Sequence, residues 1–203
     1  MIPVFATSAP LLALTALLAY LLGSVPFGLV MARVFGLGDI RAIGSGNIGA
    51  TNVLRTGNRL AAFLTLIGDA GKGGIAVLLA RALLAEDAAQ LAGLFAFLGH
   101  CFPVFLGFKG GKGVATFLGT LLALFWPAGI AACLTWAVTA AITRISSLSA
   151  LVAAVLAPVW ISLLGMPQAA LVTALLAVLV VIRHKTNIGR LMRGEEPRIG
   201  SKS

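Results

Sequence analysis

Charge is what this chain has least of. Of its 203 residues only 6 are Asp or Glu and 15 are Lys or Arg, so 10% are charged while 60% are hydrophobic. With a mean hydropathy of +1.05, that balance excludes a soluble domain of ordinary makeup and describes a polytopic membrane protein. The two cysteines, Cys101 and Cys133, lie in apolar stretches with no CxxC or Cys/His ligand spacing. They read as small buried hydrophobes, and neither a disulfide nor a metal is expected. No charge precedes Arg33, so the basic n-region of a signal peptide is missing and the first apolar run is expected to persist as a membrane helix. Familiar catalytic signatures are missing as well. The chain has no GxSxG nucleophile elbow, no Cys–His pair at suggestive spacing and no carboxylate pair. Nor does it have HxxxxD, because Phe105 stands five residues after His100 and Gly189 five after His184.

What is present is a series of apolar runs long enough to cross a bilayer, which takes about 20 residues. Pro3 to Ala32 is the first, with a bend expected at Gly23 and Pro26. Leu60 to Ile67 is too short to cross and reads as a re-entrant or half helix. Ile75 to Leu84, Leu91 to Phe108, two runs divided at Trp126-Pro127, and two divided at Gly165-Met166-Pro167 complete the set. Positive charge favours the cytoplasmic side. Placing the tail cations Arg183, Lys185, Arg190, Arg193, Arg198 and Lys202 there leaves only Arg81 toward the outer face. The expected fold is all-α and polytopic, one integral-membrane domain over residues 1–203. It has seven transmembrane helices plus the short re-entrant helix, the N-terminus outside and the C-terminus cytoplasmic. Loops 36–59, 68–74 and 107–113 and the tail 183–203 then converge on one face.

The net charge of +9 admits nucleic acid, anionic lipid or a small anionic substrate. Because the cations sit in loops between spans rather than in a basic domain, nucleic acid fits least. The first loop carries Gly44-Ser45-Gly46-Asn47-Ile48-Gly49-Ala50-Thr51-Asn52-Val53-Leu54-Arg55, which contains a GxGxxG. The strand and soluble βαβ unit that a dinucleotide site needs are absent. The physical content remains: a glycine-rich turn leading into a helix offers N–H groups to phosphate, and Thr51 and Arg55, at i and i+4, are expected to face one ligand. The blander reading is a flexible loop with a serine cap.

The second loop pairs Asp69 with Lys72 at i,i+3, either to neutralise each other where two short helices meet or to touch substrate. The third, Phe108-Lys109-Gly110-Gly111-Lys112-Gly113, brings two cations between apolar runs, where a cation is costly. Its glycines let backbone N–H groups approach an oxyanion; the alternative is a short topogenic loop. It fails the Walker A pattern, since Leu106 stands where the first glycine is required and Gly113 follows Lys112. In the tail, a helix continued past Arg183 would put Arg183, Asn187 and Arg190 on one face with His184 beside Asn187; a stop-transfer cluster would also be basic there.

Four blocks, SGNIGATNVLR (Ser45–Arg55), GDAGKGG (Gly68–Gly74), GHCFPVFLGFKGGKGVAT (Gly99–Thr116) and RHKTNIGRLMRGEE (Arg183–Glu196), resemble in content and order the signatures of the bacterial acyl-phosphate:glycerol-3-phosphate acyltransferases, the PlsY family. The resemblance implies a multi-pass enzyme of the bacterial inner membrane with its site at the cytoplasmic face. It also implies transfer of an acyl group from acyl phosphate to the 1-hydroxyl of sn-glycerol 3-phosphate, without a cofactor, as the first step of phospholipid synthesis. By motif position it assigns Ser45, Arg55, Lys112, His184 and Asn187 to catalysis and to holding the acceptor. Gly44, Gly46, Asn47, Thr51, Asn52, Asp69, Lys72, Lys109, Gly110, Gly111 and Arg190 would bind substrate. The rival readings are a transporter of a phosphate ester, in which cationic half-helix ends hold the anion, and a non-catalytic protein binding anionic lipid.

Overall fold

The structure is a computed structural model that describes residues 3–200, so the tail cation Lys202 lies outside the described residues. All regular structure among them is helical. The first span is broken where expected, into α1 (Ala9–Gly23) and α2 (Phe27–Val34), because Pro26 has no N–H to continue the ladder. A loop containing one 3₁₀ turn leads to α3 (Ala50–Leu54) and then to α4 (Arg59–Leu83). The remaining helices are α5 (Glu86–Cys101), α6 (Val114–Leu124), α7 (Trp126–Thr143), α8 (Ser146–Leu163), α9 (Ala170–Arg183) and α10 (Lys185–Met192).

The largest departure from expectation is α4. The half helix over 60–67, the loop over 68–74 and the short run after it form one helix of 25 residues. Four glycines and a Lys–Asp pair read as a break, yet Gly73, Gly74 and the charged pair have reasons to remain helical. Gly73 faces the Thr116 carbonyl and Gly74 the Gly119 carbonyl of α6, close approaches that a side chain would obstruct. Asp69 and Lys72 lie one turn apart, with Lys72 Nζ 2.9 Å from Asp69 Oδ1, so the charges neutralise one another inside the helix.

By length and apolar content five described segments can cross a membrane, or six if α9 and α10, bent by 62° at His184, form a single broken span. The eleven-residue α6 is too short by itself to cross a hydrocarbon core of about 30 Å. Leu17, Leu18, Leu78, Leu79, Val138 and Ile142 are exposed on the outer surface, where a soluble protein would carry polar groups and lipid is the matching solvent. The interior is built largely of alanine at helix seams, from Ala76, Ala88 and Ala92 to Ala128, Ala154 and Ala177, the small-residue packing that lets membrane helices approach.

Side-chain bonds define two ends of the bundle. At one, the Thr7 hydroxyl and the N–H groups of Ala6 and Thr7 donate to the Asp87 carboxylate at the start of α5. At that end too, Arg81 pairs with Glu86 at 2.8 Å and donates to the Ala123 and Leu124 carbonyls at the end of α6. The one cation expected on this face is therefore the cap of a helix C-terminus. At the opposite end, the Ile199 N–H donates to the Arg144 carbonyl and the Arg144 guanidinium to the Ile199 carbonyl, Ser147 donates to Glu196, and the loops and tail gather.

Candidate active site

The loop before α3 is ordered by Asn52, which is 1% exposed. Its Nδ2 donates to the Ile40 carbonyl at 2.7 Å, and its Oδ1 accepts from the Ser45 N–H at 3.1 Å and from Arg55 Nη1 at 3.2 Å. One buried amide thus fixes both Ser45 and Arg55, and its acceptor and donor are both occupied by the protein. Gly44, at φ +51°, is required here: a Cβ would lie 2.6 Å from Arg55 Cδ. Thr51 and Arg55 do not converge as their spacing suggested. The Thr51 hydroxyl turns to Ser146 at 3.4 Å, while Arg55 turns back over Gly44.

The Gly107–Gly113 turn leaves α5 and enters α6. Its glycine amides were expected to point outward to an anion, but the Gly110 N–H donates to the Cys101 carbonyl and the Gly111 N–H to the His100 carbonyl. The Gly110 and Gly111 carbonyls accept from Arg183 at 3.0 and 3.1 Å, and the same guanidinium stacks on Phe102, 5.1 Å from the ring centre. The backbone of the turn is thus held closed from both sides, and what it presents is the Lys112 side chain. Lys112 Nζ donates to Asn187 Oδ1, Asn187 Nδ2 donates to Glu196 Oε1, and Arg190 Nε donates to Glu196 Oε2 at 2.7 Å.

The tail does not continue as one helix. The chain bends at His184, so Arg183 ends α9 against the turn while Asn187 and Arg190 belong to α10, and the common face expected of the three is lost. His184 is 2% exposed, with Nδ1 2.8 Å from the Val180 carbonyl. A carbonyl can only accept, which puts the proton on Nδ1 and leaves Nε2 as the basic nitrogen.

Between these pieces lies an open cleft of about 390 Å³ lined by Ser45, Gly46, Asn47, Phe102, Gly110, Lys112, Ile182, Arg183, Lys185 and Thr186. Hydroxyl, amide and cationic groups face it beside two apolar side chains. Phe102, Ile182, Arg183, Lys185 and Thr186 were not among the expected site residues, although the last three lie in the tail expected to contribute to the site. Of the expected site residues, Ser45, Gly46, Asn47, Gly110 and Lys112 line the cleft, and Arg55, Asn187 and Arg190 stand around Lys112. Lys109 is exposed and apart from it. Asp69 and Lys72, each 2% exposed, lie inside the bundle.

Burial holds the Lys112 ammonium down, to a pKa of about 8; the Glu196 carboxylate opposes that effect, and Arg190, Arg183 and Arg55 add to it. Burial pushes the Glu196 carboxyl up, but hydrogen bonds from Asn187, Arg190 and Ser147 outweigh it and keep the group below its ordinary value. A cation that is partly dehydrated and crowded by like charges is a receptor for an anion.

A multi-pass helical bundle with a cation-lined, half-apolar cleft at one end is an integral-membrane protein built to handle an amphiphilic anion. Residues 13–194 match the family model described as glycerol-3-phosphate acyltransferase, and the chain belongs to that family. It is 72% identical to a glycerol-3-phosphate acyltransferase of Jannaschia sp. across all of both chains. It is 66% identical to one of Cereibacter sphaeroides over 95% of this chain and 91% of that one. Among solved structures it resembles PlsY (YgiH), an integral membrane glycerol 3-phosphate acyltransferase, in its glycerol 3-phosphate form, with 38% identity, a TM-score of 0.88, and coverage of 93% of this chain and 96% of that one. The lysophosphatidic acid form of the same protein matches at 37% identity and a TM-score of 0.87.

Proposed function

We propose that the protein transfers an acyl group from acyl phosphate to the 1-hydroxyl of sn-glycerol 3-phosphate, releasing 1-acyl-sn-glycerol 3-phosphate and inorganic phosphate. The observation that carries this reading is the cleft, where Ser45, Asn47, Lys112, Arg183 and Lys185 face Phe102 and Ile182. That combination suits a phosphate head group and the start of a chain in one space.

In the reaction the acceptor oxygen forms a new bond to the acyl carbon, the bond from that carbon to the phosphate oxygen breaks, and phosphate leaves with the electron pair. Acyl phosphate is a mixed anhydride with a good leaving group, so positioning and charge stabilisation supply most of the acceleration. Lys112 and Arg55 neutralise phosphate charge, and the Ser45 hydroxyl stabilises the carbonyl oxyanion. The hydroxyl proton goes either to His184 Nε2, the nitrogen left free by the Val180 bond, or to a phosphate oxygen of a bound substrate. His184→Ala separates these: retention of most of kcat with a raised KM assigns His184 to binding.

In the same reading the chain crosses the membrane seven times, α6 included. The N-terminus lies outside, and the cleft faces the cytoplasm of a bacterial inner membrane, the side that the loop and tail cations favour.

The test is phosphate release by purified protein given palmitoyl phosphate, with and without sn-glycerol 3-phosphate, beside Lys112→Ala. Release that depends on the acceptor and disappears in the variant supports acyl transfer in this cleft. Folded protein that releases none refutes it and favours a carrier, which counterflow in proteoliposomes would then detect.

A further inference from the structure

The mechanism leaves one buried group of ionisable side chains without a task. Asp69 and Lys72 on α4 and His100 on α5 are 2%, 2% and 4% exposed. Lys72 Nζ lies 2.9 Å from Asp69 Oδ1 and donates to the Val25 carbonyl, also at 2.9 Å, in the break between α1 and α2. His100 Nδ1 lies 3.4 Å from the same Asp69 oxygen. Three desolvated ionisable groups are costly to gather in a membrane interior, and the neutralised pair alone would satisfy the lysine. The histidine needs a separate reason.

The other edge of the imidazole supplies it. A Cβ built on Gly111 would stand 2.2 Å from His100 Nε2, and one on Gly110 would stand 2.2 Å from the His100 carbonyl oxygen. That same carbonyl accepts the Gly111 N–H at 3.1 Å. The ring is therefore the floor on which the turn before Lys112 rests, while Arg183 holds the turn's carbonyls from the opposite side. The Thr116 hydroxyl, donating to the Asp69 carbonyl at 2.8 Å, ties the far side of the turn to the same point of α4.

We propose that His100 is a positioning residue for the transfer reaction: Asp69, its charge balanced by Lys72, orients the imidazole beneath Gly111, and the imidazole sets the height at which Lys112 enters the cleft. It touches no substrate and acts only through the turn. The inference rests on the acyl-transfer reading above, with Lys112 on the glycerol phosphate.

The experiment is steady-state kinetics of detergent-purified wild type, His100→Ala and His100→Gln, with each substrate varied in turn. His100→Ala leaves the Asp69–Lys72 pair intact, so the buried charges stay compensated. The expected result is a KM for sn-glycerol 3-phosphate raised about tenfold, the scale of a small misplacement of a binding group, with the KM for palmitoyl phosphate within about twofold. His100→Gln, whose amide reaches toward the Nε2 position, is expected to recover most of the difference. In a Lys112→Ala background, where turnover is lost, the readout is calorimetric binding of sn-glycerol 3-phosphate, and His100→Ala is expected to weaken it by less than about twofold further, because the group it positions is gone. A purely structural role would lower kcat through the active fraction and leave both KM values alone. That outcome, or equal effects on both KM values, or full additivity with Lys112→Ala, overturns the proposal. Wild-type protein that turns over neither substrate refutes the acyl-transfer reading instead.

Discussion

The partly dehydrated state of Lys112 makes a quantitative prediction about pH. With a pKa of about 8 in the free protein, about nine-tenths of the molecules carry a charged Lys112 at pH 7 and about one-tenth at pH 9. Only the ammonium form attracts phosphate, so the competent fraction falls as pH rises, and kcat/KM for sn-glycerol 3-phosphate drops roughly tenfold between those values, since that ratio reports the free enzyme. A lysine at its ordinary 10.5 would lose only about 3% of its charge by pH 9. The substrate adds no slope of its own there, because a phosphate monoester is already dianionic above about pH 7. The assay is the initial rate of phosphate release at subsaturating acceptor from pH 6.5 to 9.5, corrected for spontaneous hydrolysis of the acyl phosphate. In Lys112→Arg the guanidinium stays protonated throughout, so the alkaline limb flattens whatever the absolute activity. At saturating acceptor the bound dianion stabilises the ammonium, and the kcat limb moves to higher pH. A kcat/KM that holds level to pH 9, or an unchanged inflection in Lys112→Arg, refutes the assignment of Lys112 as a desolvated phosphate receptor.

Two further perturbations test the scaffold. Gly99→Ala sets a Cβ 2.2 Å from the Tyr20 carbonyl oxygen and 2.8 Å from the Ser24 nitrogen, forcing α1 and α5 apart; it is expected to cost about 1–3 kcal/mol, read as a lower Tm in detergent, and an unchanged Tm contradicts the close crossing. Asn52→Ala strands the buried Ile40 carbonyl and frees Ser45 and Arg55 together; the expected cost is about 1–3 kcal/mol with a loss of activity out of proportion to it, and near-normal turnover would show that the loop holds its shape without the amide.

The alternation of apolar runs, the bend at Pro26 and the breaks at Trp126-Pro127 and Gly165-Met166-Pro167 were legible because proline and run length act locally. The helix over 68–74 was not. Glycine and charge weaken an isolated helix, and what keeps these residues helical is contact with α6 and the neutralisation of Asp69 by Lys72, facts about neighbours distant in sequence. The site divides in the same way. Cations and glycines marked the right segments, since Ser45, Asn47, Gly110 and Lys112 all line the cleft. Which polar groups face it could not be read from spacing: the bend at His184 separates Arg183 from Asn187, and Thr51 is drawn off to Ser146.

The same division separates the cations that serve the backbone from the one that serves the substrate. Each glycine-rich segment must expose backbone near the end of a membrane bundle, where an unpaired carbonyl or N–H is costly. Arg183 satisfies the carbonyls of Gly110 and Gly111, Arg81 those of Ala123 and Leu124, and Lys72 that of Val25. These three hold broken or tightly turned backbone in place and are largely committed to protein partners. Lys112 differs, because its partner is a neutral amide oxygen, which a phosphate can displace at little electrostatic cost. A cation already paired with a carboxylate would have to lose that ion pair first. The Lys112–Asn187 contact therefore leaves the charge of this lysine available to the substrate while fixing where the ammonium waits, and Glu196, bonded to the other side of the same amide, keeps Asn187 oriented with its oxygen toward the lysine.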